Sequence, residues 1–169
     1  ELDADCYTVR LLLSMLGTAA EKIAVDVHPG HEQRSPAYLA LNPRGSLPIL
    51  VDGDLVLAEA EAILCYLARS EPAGSAFLPD DAAGFGTVMS WLFFAKGPLG
   101  AATAARLTAM LEAPGDPEAL EQQARSAFRV MEDHMTARHL AGASWFVSDR
   151  PTLADVALFP PIALSRDFG

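Results

Sequence analysis

Asn42-Pro43-Arg44-Gly45-Ser46-Leu47-Pro48-Ile49-Leu50 is the stretch whose reading decides the fold. Asn42-Pro43 stops a short apolar helical piece over residues 37–41, because the residue before a proline is pushed out of the α region. Gly45 marks a turn. Pro48 stands where a strand begins and cannot donate a ladder hydrogen bond. Two readings follow. The segment is a plain loop before a hairpin, or Leu47-Pro48 is cis and turns the Leu47 amide and carbonyl outward, where they can pair with an extended peptide as an added strand. Taken alone, one X-Pro bond favours the plain loop, since about 5% of such bonds are cis.

Downstream, Leu47 to Val51 reads as an apolar strand, Asp52-Gly53 as a tight turn and Leu55 to Leu57 as the return strand. Glu59 to Ala68 has helical spacing, with Ile63, Leu64 and Leu67 on one face. Upstream, Val9, Leu12, Leu13 and Leu16 predict a helix over Tyr7 to Leu16. Asp3 and Asp5 are suitable N-caps, and Gly17 suits a left-handed end. Ile23, Val25 and Val27 alternate and predict a strand over Lys22 to Val27. Residues 1–70 thus read as α/β: a small sheet of mixed parallel and antiparallel pairing with helices packed on it. Residues 71–83 read as a linker rich in Pro, Gly and small residues. Residues 84–169 read as all-helical. Phe85 to Ala95, Leu99 to Leu111 and Glu118 to His139 are helices, and Thr152 opens the last one.

The 169 residues carry a formal charge of −10 and a pI near 4.7. That balance disfavours nucleic-acid backbones, which need clustered Lys and Arg, and docking on anionic lipid. Two cysteines, Cys6 and Cys65, do not make a disulfide framework. No apolar run approaches the roughly 20 residues that span a bilayer. The first residues, ELDADCYTVR, lack the basic start and apolar core of a signal peptide. A cytoplasmic protein is the expectation. Four histidines show no zinc spacing, and no glycine-rich phosphate loop is present. No bound metal is expected.

NPRGSLPIL, the following VDGDLVLAEAEAILCYLA, the earlier TVRLLLSMLG and the late RPTLADVALFP together resemble the glutathione transferase family, in its bacterial, theta-like soluble type. The resemblance implies a thioredoxin-like N-terminal domain (residues 1–70), a linker (71–83) and a helical-bundle C-terminal domain (84–169). The chain begins at Glu1, and relative to the family it is expected to be truncated at both ends. The resemblance also implies glutathione as co-substrate, a small apolar electrophile as its acceptor, and a homodimer.

Site residues carry over position by position. Leu47, with Ser46 and Pro48, would hold the cysteinyl backbone of glutathione. Glu59 matches the family's acid at a helix start that binds the γ-glutamyl end; Gln33 and Arg34 would face the glycyl carboxylate. Ala60 replaces the hydroxyl that the family places after this acid. Asp3 stands where many members carry a thiol-activating Ser, Tyr or Cys. Cys6, in the first helical turn, is the alternative catalytic group. Trp91 and Phe94 fall on the helix that lines the family's electrophile pocket. Cys65 reads as core. Thr152 and Asp155 read as a capping box, a role in folding. The function implied is conjugation of glutathione to an electrophile. Its rivals are a non-catalytic binding protein on the same fold and a Cys6-dependent glutathione thiol reductase.

Overall fold

A computed structural model describes residues 3–167. The first helix, α1, runs Ala4–Leu16. Asp3 caps it by accepting from the Asp5 and Cys6 amides, and Gly17 ends it at φ +70°. A 3-10 turn, Glu32–Arg34, leads into α2, Pro36–Leu41, which Ser35 caps. β1 (Ile49–Asp52) and β2 (Leu55–Ala58) pair antiparallel, with Ile49 opposite Ala58. Helix α3 (Ala60–Ser70) follows directly.

Three expectations need correction here. Residues 22–27 form no strand, and the sheet has two antiparallel strands rather than a mixed set. A strand exists only against a partner, and no described strand lies beside this segment. Ile23 is accordingly 79% exposed. In the hairpin, Asp52 pairs with Leu55, so Gly53 and Asp54 form the turn in place of Asp52-Gly53. Gly53 supplies the positive φ, +59°.

A 3-10 turn (Gly74–Phe77) leads to α4 (Ala82–Lys96), which begins inside the stretch expected to be linker. α5 (Gly100–Leu111) and α6 (Pro117–Leu140) pack on each other. α7 (Leu153–Ala163) is apolar apart from Asp155 and largely buried, with Phe159 and Ile162 left exposed, which is close to the pattern of a central helix. It packs on α1, α4, α5 and α3, joining the two halves through one core that includes Leu12, Ile63, Leu64, Val88, Leu92, Leu153 and Leu158. Thr152 and Asp155 form a capping box at its start. Among the described residues no helix is long and apolar enough to cross a membrane.

Candidate functional site

The loop from Asn42 to Pro48 is built around one buried amide side chain. Asn42 is 3% exposed. Its Nδ2 donates to the Ser46 carbonyl at 2.9 Å and to Ser46 Oγ at 3.0 Å, while its Oδ1 accepts from the Arg44 amide at 3.1 Å. Tyr38 Oη donates to the same Ser46 carbonyl at 3.0 Å. Gly45 sits at φ +62°, and a Cβ there would lie 2.8 Å from the Gln33 carbonyl oxygen and 2.9 Å from Arg34 Nη1. Glycine thus lets the 33–34 turn close onto the loop. Leu47-Pro48 is cis, as is His28-Pro29. Among the described residues nothing hydrogen-bonds to the main chain of Leu47.

Glu59 lies at the start of α3 in a conformation rare for a side-chain-bearing residue, φ +72° and ψ 124°. Positions of this kind concentrate at functional sites, where the surrounding structure holds a strain of about 1–3 kcal/mol. The first amides of α3 have no main-chain acceptor, because the intrahelical ladder begins with the Ile63 amide on the Glu59 carbonyl, and the Glu61 amide is turned to its own carboxylate. They offer partial positive charge to an anion. Two cations flank the Glu59 carboxylate. Lys96 Nζ lies 3.0 Å from Oε2 and also 2.9 Å from Asp5 Oδ2 on α1. Arg44 Nη1 is 2.6 Å from Oε1. That last contact is an ion pair without hydrogen-bond alignment, so Oε1 is buried with no directed donor.

Burial works against the charge on Lys96, but Asp5, Glu59 and Glu61 outweigh it and hold its pKa above the usual value. Burial raises the Glu61 carboxyl, and Asp5 and Glu59 add to the effect. Arg44, Glu59, Glu61, Cys65, Phe93 and Lys96 are among the residues lining a largely apolar cavity of about 440 Å³ between α3 and α4. Another groove, about 330 Å³ beside Arg69, Glu71 and Asp80, shares none of these residues.

The N-terminal end of α1 reaches the same cluster through Asp5, which shares Lys96 with Glu59. Burial raises the pKa of Asp3 and Asp5 adds to it, against the Cys6 and Asp5 amides and Lys96, which favour the carboxylate. The Asp3 carboxylate is thus engaged in capping α1. Cys6 is half-buried in the first turn. Tyr38 lies close enough that its phenol is raised by burial, then by Cys6 and Asp3. Burial, with Glu61 adding, raises the Cys65 thiol. Cys65 is half-buried and lines the cavity, where a core position was expected.

The structure therefore gathers Asp3, Cys6, Glu59 and Ala60 on neighbouring helix starts, and sets Gln33 and Arg34 against Arg44 and Gly45, ahead of Ser46, Leu47 and Pro48. Gln33 Oε1 is buried without a hydrogen-bond partner, whereas Arg34 Nη1 donates to the Arg44 carbonyl at 3.2 Å. Ser46 is committed to Asn42 and Tyr38. Trp91 and Phe94 do not line the Glu59 cavity. They stack edge to face at 5.2 Å, and Trp91 also meets His134 at 4.7 Å and Phe146 at 4.9 Å. Met89, Leu92, Phe93 and Lys96 face the cavity instead, because that is the side of α4 turned to α3. Sequence reading passed over Arg44, Lys96 and Tyr38. For Arg44 a signal existed, its place inside the NPRGSLPIL string. For Lys96, 91 residues from Asp5, there was none. No group of three His, Cys, Asp or Glu among the described residues is placed to hold a metal ion.

Family models agree with this geometry. Residues 4–69 match the glutathione S-transferase N-terminal domain and residues 101–167 the C-terminal domain. Glutathione S-transferase 3 of Zea mays is 31% identical over 98% of this chain and 76% of that relative. The chain belongs to the glutathione S-transferase family. Maleylacetoacetate isomerase of Pseudomonas aeruginosa, another relative, is 30% identical over 96% of this chain and 77% of its own length. Among solved structures, a glutathione transferase homolog from Lodderomyces elongisporus, determined with two GSH per subunit, superposes with a TM-score of 0.85. It is 25% identical and covers 98% of this chain and 81% of that one.

Proposed function

We propose that this transferase-family protein binds glutathione and conjugates it to a small apolar electrophile. The observation that carries the reading is the ion pair of Glu59, at the start of α3, with Arg44 of the loop that carries the cis Leu47-Pro48 bond. Glu59 supplies an anion at a helix start, beside the cations Arg44 and Lys96, which suits the zwitterionic γ-glutamyl end. The loop supplies the main chain of Leu47, unbonded among the described residues, for the cysteinyl residue. Gln33 Oε1, buried without a hydrogen-bond partner, fits a ligand that brings its own N–H group. In this reading residues 1–70 form the glutathione-binding half, the protein acts as a homodimer, and Cys6 is the group closest in role to a thiol activator. Holding the tripeptide against an apolar wall and favouring its thiolate would be the chain's share of catalysis.

A second reading, a glutathione-binding protein without turnover, is favoured by Ala60 and by the capping role of Asp3. Titration calorimetry with glutathione, followed by turnover of an aryl halide, separates the two. Binding with turnover supports the transferase, and binding without turnover supports the second reading. A folded protein that does not bind glutathione sinks both. Cys6→Ser tests the thiol-reductase variant: loss of disulfide reduction with aryl-halide turnover retained would assign Cys6 to reduction.

A further inference from the structure

Glu59 is held between two cations, and the geometry of that arrangement bears on the ligand. The γ-glutamyl end of glutathione presents an ammonium and a carboxylate on one carbon. A receptor for it needs an anion and a cation side by side. Glu59 is the anion. The family's hydroxyl is replaced by Ala60, whose methyl is 1% exposed and belongs to the core, so residue 60 offers the carboxylate only its amide. Lys96 stands 3.0 Å from Glu59 Oε2 and is anchored independently by Asp5 at 2.9 Å. Its side chain is 43% exposed, so its ammonium remains open to a ligand.

We infer that Lys96 is the residue that takes the α-carboxylate of the γ-glutamyl end, with Arg44 in a supporting role, in place of the missing hydroxyl. This rests on the glutathione-binding reading above. The ligand's ammonium takes over Glu59 Oε2 from Lys96. Lys96 keeps its bond to Asp5 and turns its freed N–H to the carboxylate that arrives with that ammonium. The exchange leaves each charge paired: one ammonium replaces another on Glu59, and one carboxylate replaces another on Lys96. Arg44, 68% exposed on the opposite oxygen, reinforces the cationic side. The acidic groups that face Lys96 are Asp5, Glu59 and Glu61. They favour its charged form against the burial that opposes it.

The test is calorimetric titration of the whole protein with glutathione and with its decarboxy analogue, 4-aminobutanoyl-cysteinylglycine. Wild type is expected to prefer glutathione by about tenfold or more, the range of one charge-assisted hydrogen bond. Lys96→Met should lose most of that preference while its affinity for the analogue stays within about threefold. Lys96→Arg should restore it. If Lys96→Met does not fold, Arg44→Gln, at an exposed position, carries the test and should narrow the preference severalfold. A folded Lys96→Met that keeps the full preference overturns the assignment, and the glutathione site itself then stands. A folded wild type that binds neither ligand overturns both.

Discussion

Tyr38 Oη donates to the carbonyl oxygen of Ser46 across 3.0 Å, and so ties α2 to the loop that carries Leu47 and Pro48. The same carbonyl accepts from Asn42 Nδ2 at 2.9 Å. The loop is thus clamped from two residues of one helix end. Tyr38→Phe removes one donor but leaves the carbonyl bonded, so the expected cost is about 0.5–1.5 kcal/mol in urea unfolding. Asn42→Ala removes the donor to both Ser46 oxygens and the acceptor for the Arg44 amide. It should cost more than Tyr38→Phe and weaken glutathione binding further. The reverse order would mean that Asn42 does not hold the loop.

The positive φ of Glu59 separates its backbone role from its side-chain role. At φ +72° glycine is relaxed and alanine is strained. Glu59→Gly should therefore be about 1 kcal/mol more stable than Glu59→Ala by thermal unfolding, against the order found inside helices. Both variants should lose glutathione affinity, since each removes the carboxylate. Equal stability of the two would show that the backbone relaxes once the side chain is gone.

Asp3 makes a pH prediction with a definite sign. Its folded pKa is raised above the ordinary 3.8, chiefly by burial and then by Asp5. Between those two values the folded state binds more protons than the unfolded state. Stability from this group therefore falls as pH rises from about 3.8 to the folded pKa, and is level above it. Asp3→Asn keeps an N-capping oxygen and removes the titration. The stability of wild type minus that of Asp3→Asn, measured by urea unfolding from pH 3 to 7, should fall with rising pH and then flatten. A difference that rises with pH would show that the capping bonds outweigh burial.

Asp155 links three groups. Its Oδ2 accepts from the Thr152 amide at 2.8 Å and the Thr152 hydroxyl at 2.9 Å, and its Oδ1 accepts from the Phe146 amide at 3.0 Å. Thr152 is 1% exposed. Asp155→Ala removes a cap and leaves a buried hydroxyl without its acceptor, a cost of about 2–4 kcal/mol. Glutathione affinity of the folded variant should stay within about twofold of wild type. A large loss of affinity without loss of stability would give Asp155 a part in the site.

Local physics made much of this protein legible in its sequence. The period of Val9, Leu12 and Leu13, with Asp3 before them and Gly17 after, defines α1 from bonds that close within a few residues. NPRGSLPIL and the Thr152–Asp155 pair are similar: each describes a loop or cap made by near neighbours, and the structure contains both. Three features were decided only by tertiary structure. Residues 22–27 alternate as a strand does, but strand formation depends on a partner, which no local pattern supplies. Trp91 and Phe94 sit on the expected helix, yet the packing of α4 against α7 sets the rotation that turns Trp91 toward His134 and Phe146, with Phe94 against Trp91. Lys96 meets Asp5 and Glu59 only because α4 folds across the starts of α1 and α3. A charge at long sequence separation leaves no periodic trace, so the cationic side of the site appears only once the chain is folded.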